Sequence, residues 1–156
     1  IAVEFDSELE QVAYLGDERL IGQALGNLLK NAAEAIEGMP EEAEVRGQIR
    51  VVLSDTDKGV DITIEDNGPG FPEDARDRLL EPYVTTREKG TGLGLAIVNR
   101  IIVDHGGSIS LQNRLDGMRG ARVRVWLPHN AMRVHDAFEV TPEEETDESP
   151  ARAGLV

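Results

Sequence analysis

Two short runs of alternating apolar and polar residues, "QIRVVLSD" (48–55) and "VDITIEDNG" (60–68), are separated by only "TDKG". Alternation with period two turns one face of each run toward a core and the other toward water. So short a connection pairs the runs as a hairpin, because a parallel crossover needs a dozen or more residues. The chain is therefore committed to a sheet with antiparallel pairing, and Asp66 falls at the end of a strand. A second hairpin is expected where "SISLQN" and "ARVRVWLP" flank the turn "LDGMRG". "IAVEF" also alternates, and "QVAYLG" is expected to be its partner strand after a turn.

Helical periods occupy the spaces between these strands. Asp17 is a natural N-cap for "ERLIGQALGNLLKNAAEAIEG", and Gly38 a natural C′ stop. At 100° per residue, Ile21, Leu25, Leu28, Leu29, Ala32 and Ile36 share one broad face, while Asn27 and Asn31 lie on the other with Lys30 and Glu34 beside them. "LGLAIVNRIIVDHGG" reads as a second strong helix, and "PEDARDRLLEP" as a short one opening at Pro72. The expectation is an α+β fold, a two-layer α/β sandwich whose mixed, mostly antiparallel sheet carries about three helices on one face. One domain over residues 1–128 accounts for the pattern. Residues 129–156 hold Asp136, Glu139, Glu143, Glu144, Glu145, Asp147 and Glu148 against Arg133 and Arg152, with no apolar period; they read as a disordered acidic tail. The abrupt start in strand-like "IAVEFD" suggests a piece excised from something longer.

A net charge of −14 argues against a nucleic-acid partner and against an anionic membrane surface. The absence of cysteine excludes disulfides and Cys-ligated metals and fits a cytosolic compartment. No apolar run reaches the roughly 18 residues of a membrane span. With 40% hydrophobic but only 4% aromatic residues, the core must be filled by aliphatic side chains.

Three polar features stand out from this frame. Asn27 and Asn31 are four apart in an otherwise good helix that asparagine weakens; they form either a solvated stripe or a pair of oxygen ligands suited to Mg²⁺. "EDNGPGFPED" is either a tight turn, since Asn-Gly and Pro-Gly are ordinary turn dipeptides, or a loop whose glycines bring backbone close to a ligand read by Asp66. In "REKGTGLGLAI", Gly90, Gly92 and Gly94 precede and open an apolar helix, whose unpaired N–H groups make a ready anion site. The spacing is not that of a dinucleotide fingerprint, and no P-loop motif occurs.

Taken in order, "NLLKNAAEA", "DNGPGF" and "GTGLGLAIV" resemble the N, G1 and G2 boxes of the histidine-kinase-like ATP-binding family. "EPYVTTREKGTGLGLAIV" is most similar to bacterial two-component sensor kinases of the nitrogen-regulation type. The resemblance implies a fold of the Bergerat ATP-binding kind, with ATP and Mg²⁺ as cofactors. Asp66 would accept from the adenine amine, with Gly68 and Gly70 permitting close passage of the nucleotide. Asn31, supported by Asn27, would bind Mg²⁺, with Lys30 at the same catalytic end. A lid carrying Tyr83, Thr86, Arg87, Lys89, Gly90, Thr91, Gly92, Leu93 and Gly94 would close on the nucleotide, Arg87 and Lys89 toward phosphate.

Two departures refine this. Related ATPases place a water-activating glutamate where Asn27 stands, so the site favours phosphoryl transfer over hydrolysis. Many sensor kinases stack an aromatic ring on adenine at the position of Ala35, so here the floor is aliphatic. Kinases of this kind phosphorylate a histidine on a separate helical dimerisation domain and then engage a response regulator. None of His105, His129 and His135 has the setting of that acceptor. His105 lies at a helix C-terminus, where an imidazolium would suit the dipole. The isolated chain is expected to be a monomeric cytoplasmic domain, with anchoring of the parent in the inner membrane left open. A nucleotide-binding interaction module without transferase activity is the alternative.

Overall fold

The computed structural model describes residues 1–7, 14–40, 46–85, 90–115 and 117–129. In chain order these form β1 (Ala2–Ser7), α1 (Glu18–Glu37), β2 (Gln48–Thr56), β3 (Gly59–Asp66), a 3-10 turn (Arg76–Arg78), α2 (Gly94–Asp104), β4 (Ser108–Asn113) and β5 (Ala121–Pro128). They build one five-stranded sheet of order β1-β2-β3-β5-β4. The β2–β3 and β4–β5 hairpins form where the alternation places them, and β3 lies antiparallel to β5.

The edge strand differs from expectation. β1 runs parallel to β2, with Val3 opposite Ile49 and Phe5 opposite Val51, and Tyr14–Gly16 of "QVAYLG" form no strand. The reason is connectivity. α1 lies between β1 and β2, and a helical crossover returns the chain parallel to the strand it left.

Alternation then sorts the sheet. Val60, Ile62 and Ile64 of β3 and Val123, Val125 and Leu127 of β5 are buried beneath the helices. On the opposite face, Arg124 forks onto Asp61 at 2.6 and 3.0 Å and Arg50 reaches Asp6 at 2.6 Å. Exposed pairs of this kind add little to stability; their service is to keep that face wet.

Asp17 caps α1, its Oδ1 accepting from the Leu20 N–H at 3.0 Å. This bond leads the causes that hold the Asp17 carboxyl below its usual range. α1 ends at Gly38, which stays right-handed (φ −76°), its N–H donating to the Glu34 carbonyl at 3.1 Å. The deeply buried seam of α1 is Ala24, Leu28, Ala32 and Ile36, with Ile21, Leu25 and Leu29 half-buried beside it. Small residues at every other step let α1 lie close to α2, whose Val98 and Ile102 are fully buried. The helix expected at Pro72 shrinks to the single 3-10 turn. Leu79 anchors it in the core with Leu80 half-buried beside it, and Pro82 stops the run before an amphipathic face can form. The described layer thus has two α-helices rather than about three. No helix among the described residues is long and apolar enough to cross a membrane, and the expected acidic tail, from residue 130 on, lies outside them.

Candidate functional site

Asp66, last residue of β3, points to the helix-covered side opposite Ile49. It is 5% exposed, the one buried charged side chain among the described residues. Burying a carboxylate without partners is prohibitive, and here backbone meets it from two directions. The Gly68 N–H donates to Asp66 Oδ1 at 2.9 Å and the Ala121 N–H, from the start of β5, at 3.2 Å.

The loop that follows is fixed at both ends by asparagine amides. Asn67 Oδ1 accepts from the Gln48 N–H (2.8 Å) while Asn67 Nδ2 donates to the Arg46 carbonyl (2.9 Å), extending the rungs of β2. Asn113, at the end of β4, takes both groups of Phe71: its Oδ1 accepts from the N–H at 2.6 Å and its Nδ2 donates to the carbonyl at 2.9 Å. Gly70 is left-handed (φ +81°), and a Cβ there would stand 2.7 Å from Asn113 Oδ1. Gly68 lies against α1, where an added Cβ would be 3.3 Å from the Ala35 Cβ. The absence of an aromatic ring at position 35 is therefore matched by close approach of the loop.

The second cluster gathers at the start of α2. Its N-cap, Leu93, offers no side-chain hydrogen bond, and the first turn holds no acid, so the helix presents N–H groups that an anion can satisfy. Asn31 faces this end, both its amide atoms lying 3.8 Å from where a Gly94 Cβ would be. Asn27, one turn earlier, is half-buried. Lys30 is exposed, its Nζ 3.7 Å from Glu34 Oε1. Tyr83 is left-handed (φ +66°) and 79% exposed; its N–H donates to the Gly92 carbonyl at 3.0 Å. A Cβ on the left-handed Gly92 would stand 2.6 Å from the Tyr83 carbonyl carbon. Thr91 Oγ1 accepts from the Leu93 N–H at 3.4 Å. Gly90 is half-buried. Thr86, Arg87 and Lys89 lie outside the described residues.

The fold thus brings Gly68, which donates to Asp66, to α1 at Ala35, Asn31 to Gly94, and Tyr83 to Gly92. Sequence reasoning missed Asn67, Asn113 and the Ala121 N–H. Asn67 could have been flagged, since Asx side chains bond local backbone. Asn113 carried no local signal, because its partner is 42 residues away.

The two histidines among the described residues take structural posts. His105 Nδ1 meets the Ile101 carbonyl at 2.7 Å, and its Nε2 accepts from the Asp17 N–H at 3.2 Å. These two bonds staple α2 to the start of α1. His129 Nε2 lies 2.8 Å from Asp55 Oδ1 and from the Thr56 carbonyl, at the opposite end of β5 from Ala121. His135 is outside the described residues.

A profile of the family described as "Histidine kinase-, DNA gyrase B-, and HSP90-like ATPase" matches residues 16–131. The nitrogen regulation protein NtrY of Azorhizobium caulinodans is 53% identical over 126 residues, covering 80% of this chain and 16% of that protein. The chain therefore spans about a sixth of the length of that relative. Among solved structures, the catalytic domain of histidine kinase ThkA superposes with a TM-score of 0.68 at 34% identity, covering 81% of this chain and 79% of that one. Full-length ShkA in complex with AMPPNP gives 0.68 at 30% identity over 84% of this chain and 26% of that one.

Proposed function

The chain belongs to the histidine kinase-, DNA gyrase B-, and HSP90-like ATPase family, and we propose that it binds Mg²⁺-ATP and passes the γ-phosphoryl group to a histidine on a separate helical dimerisation domain. In that step the bond between the γ-phosphorus and the β–γ bridging oxygen breaks, an N–P bond forms on the acceptor imidazole, and ADP leaves. A response regulator is the downstream partner of this reading. ThkA, named a histidine kinase, and ShkA, bound to the ATP analogue AMPPNP, support it by likeness.

The observation that carries the proposal is the buried, backbone-braced carboxylate of Asp66 at the strand end. A carboxylate held in that way accepts from the exocyclic amine of adenine, whereas guanine would set a carbonyl against it. The second arrangement leaves acceptor facing acceptor, which is what lets a polar site reject an analogue. Asn31 beside the uncapped start of α2 supports the phosphate end of the same reading.

The donor set fits Mg²⁺ carried on phosphate. Among the described residues no group of three or more His, Cys, Asp or Glu could hold a metal unaided. An asparagine oxygen is the hard ligand Mg²⁺ accepts, and this ion keeps waters and shares phosphate oxygens rather than needing a protein cage. When bound, it neutralises charge on the phosphates. Asn31 would hold it, with Asn27 supporting; Lys30, exposed and near Glu34, would lend positive charge at the rim. Asn27 has no proton affinity to activate water, which favours transfer over hydrolysis.

The test supplies the helical histidine domain of the parent protein in trans with γ-labelled ATP. Label is expected on that domain and not on this chain. ATP binding without any transfer to it would replace the kinase with a nucleotide-dependent docking module.

A further inference from the structure

The last rung of the β4–β5 ladder pairs Asn113 with Ala121. That single rung grips the loop after β3 at both ends. Ala121 donates its N–H to the Asp66 carboxylate, and Asn113 takes the N–H and carbonyl of Phe71 at 2.6 and 2.9 Å. The hairpin is itself locked at this point, the Arg114 N–H donating to the Gly120 carbonyl at 3.0 Å. Gly120 is left-handed, at φ +139°, and its backbone abuts the Asp66 carbonyl so closely that no side chain fits. Asp66 and Phe71 are thereby referenced to one rung of one ladder, and the loop between them cannot drift without breaking bonds at one end or the other.

We propose that Asn113 is a positioning residue for nucleotide selection: its amide, by holding the Phe71 peptide, sets where the loop lies and so fixes the geometry in which Asp66 meets the base. The inference rests on the adenine-reading role given to Asp66. Asn113 contributes no atom to the base itself. Its amide acts as an extra strand for one residue, satisfying a donor and an acceptor that a loop would otherwise offer to water. Gly70 follows from the same contact, since a Cβ at φ +81° would stand 2.7 Å from Asn113 Oδ1. Two features that look independent in the sequence, an asparagine ending β4 and a glycine in the loop, are one device.

A general loss of stability would lower ATP and GTP binding together and would loosen the whole sheet. A positioning role instead loosens the loop and narrows the difference between the two nucleotides. The experiment uses the chain with Asn113→Ala, Asn113→Asp and, as a control on the opposite face of β4, Gln112→Ala. Asn113→Asp keeps the acceptor for the Phe71 N–H and sets an oxygen against the Phe71 carbonyl, so it retains size while losing half the clamp. Amide exchange without nucleotide is expected to quicken at Gly68 and Phe71 in both Asn113 variants, with Val123 and Val125 unchanged. In calorimetry the ATP-over-GTP preference should fall on the order of tenfold for Asn113→Ala, less for Asn113→Asp, and not for Gln112→Ala. Unchanged loop exchange, or faster exchange with the preference intact, overturns the positioning role. A parent chain with no preference for ATP overturns the reading of Asp66 and this inference with it, whereas a selective parent with selective Asn113 variants overturns the inference alone.

Discussion

The two ends of the proposed nucleotide pocket are built by opposite means. At the base end, Asp66, Asn67 and Phe71 are bound to β2, β4 and β5 before any ligand arrives. At the phosphate end, α2 starts without a side-chain cap, and a strained Tyr83 is clasped to Gly92 through backbone. The difference follows from what each end must recognise. Discrimination between bases depends on the penalty for an unmatched polar group, and only a site that cannot move to avoid the mismatch collects it. Phosphate is charged, can be bound by several N–H groups at once, and suits a helix start whose N-cap side chain makes no hydrogen bond. One end is finished in advance and the other is finished by its ligand.

Breaking the finished end should therefore damage the fold as well as the site. Gly120→Ala gives the largest effect. A side chain there meets the Asp66 backbone, on the strand that also builds the core. Local strain and overpacking together should destabilise the protein by about 3 kcal/mol or more, lowering the melting temperature on the order of 10 °C. A thermal melt decides. Melting close to the parent would mean the base end yields, and the contrast would be lost.

Asp66→Asn separates geometry from chemistry at that end. An amide oxygen can still accept from Gly68 and Ala121, so the loop should stay where it is, while an amide NH₂ replaces the second carboxylate oxygen. Exchanging a charged acceptor for a donor should shift the ATP-to-GTP affinity ratio by about 2 kcal/mol, roughly thirtyfold. Competition titration reads this directly, and an unmoved ratio would show that Asp66 does not read the base.

The phosphate end should respond through the cation. Asn31→Ala is expected to weaken Mg²⁺-ATP on the order of tenfold while leaving metal-free ATP almost unchanged. Calorimetry with and without Mg²⁺ gives the comparison. Equal Mg²⁺ responses in variant and parent would remove Asn31 from metal binding.

The same division explains what the sequence could disclose. Local rules reached the hairpins, both α-helices and the Asp17 cap, because each is written in residues within a few positions of one another. Asn27, Asn31, Asp66 and the glycines could be singled out because they fall in short motifs, and the nucleotide roles given to them belong to the proposal. The parallel pairing of β1 was misread, since the partner depends on a crossover through α1 rather than on the alternation in "IAVEF". The helix at Pro72 was overestimated because helical propensity does not count the packing surface available to it. Asn113 stayed invisible, because its partner Phe71 lies 42 residues away and only the closed sheet brings them together.

Gly92→Ala is the smallest perturbation and the closest parallel to Gly120→Ala. Both place a methyl group on a left-handed glycine against backbone, at Tyr83 in one case and at Asp66 in the other. If stiffness were uniform, the two variants would melt alike. Gly92, however, lies outside the ladder, joined to Tyr83 by a turn bond rather than a strand pair, so its clasp can open locally without unfolding the sheet. The left-handed conformation should disfavour alanine by roughly 1 kcal/mol, felt as about fivefold weaker ATP because the clasp must re-form when the ligand binds. Global stability should change by less than about 1 kcal/mol, since the folded chain simply leaves the clasp open. A melt and an ATP titration on the same sample test both parts. If Gly92→Ala melts as early as Gly120→Ala, the phosphate end is as fully prebuilt as the base end, and α2 must owe its affinity for phosphate to rigidity rather than to groups that the ligand completes.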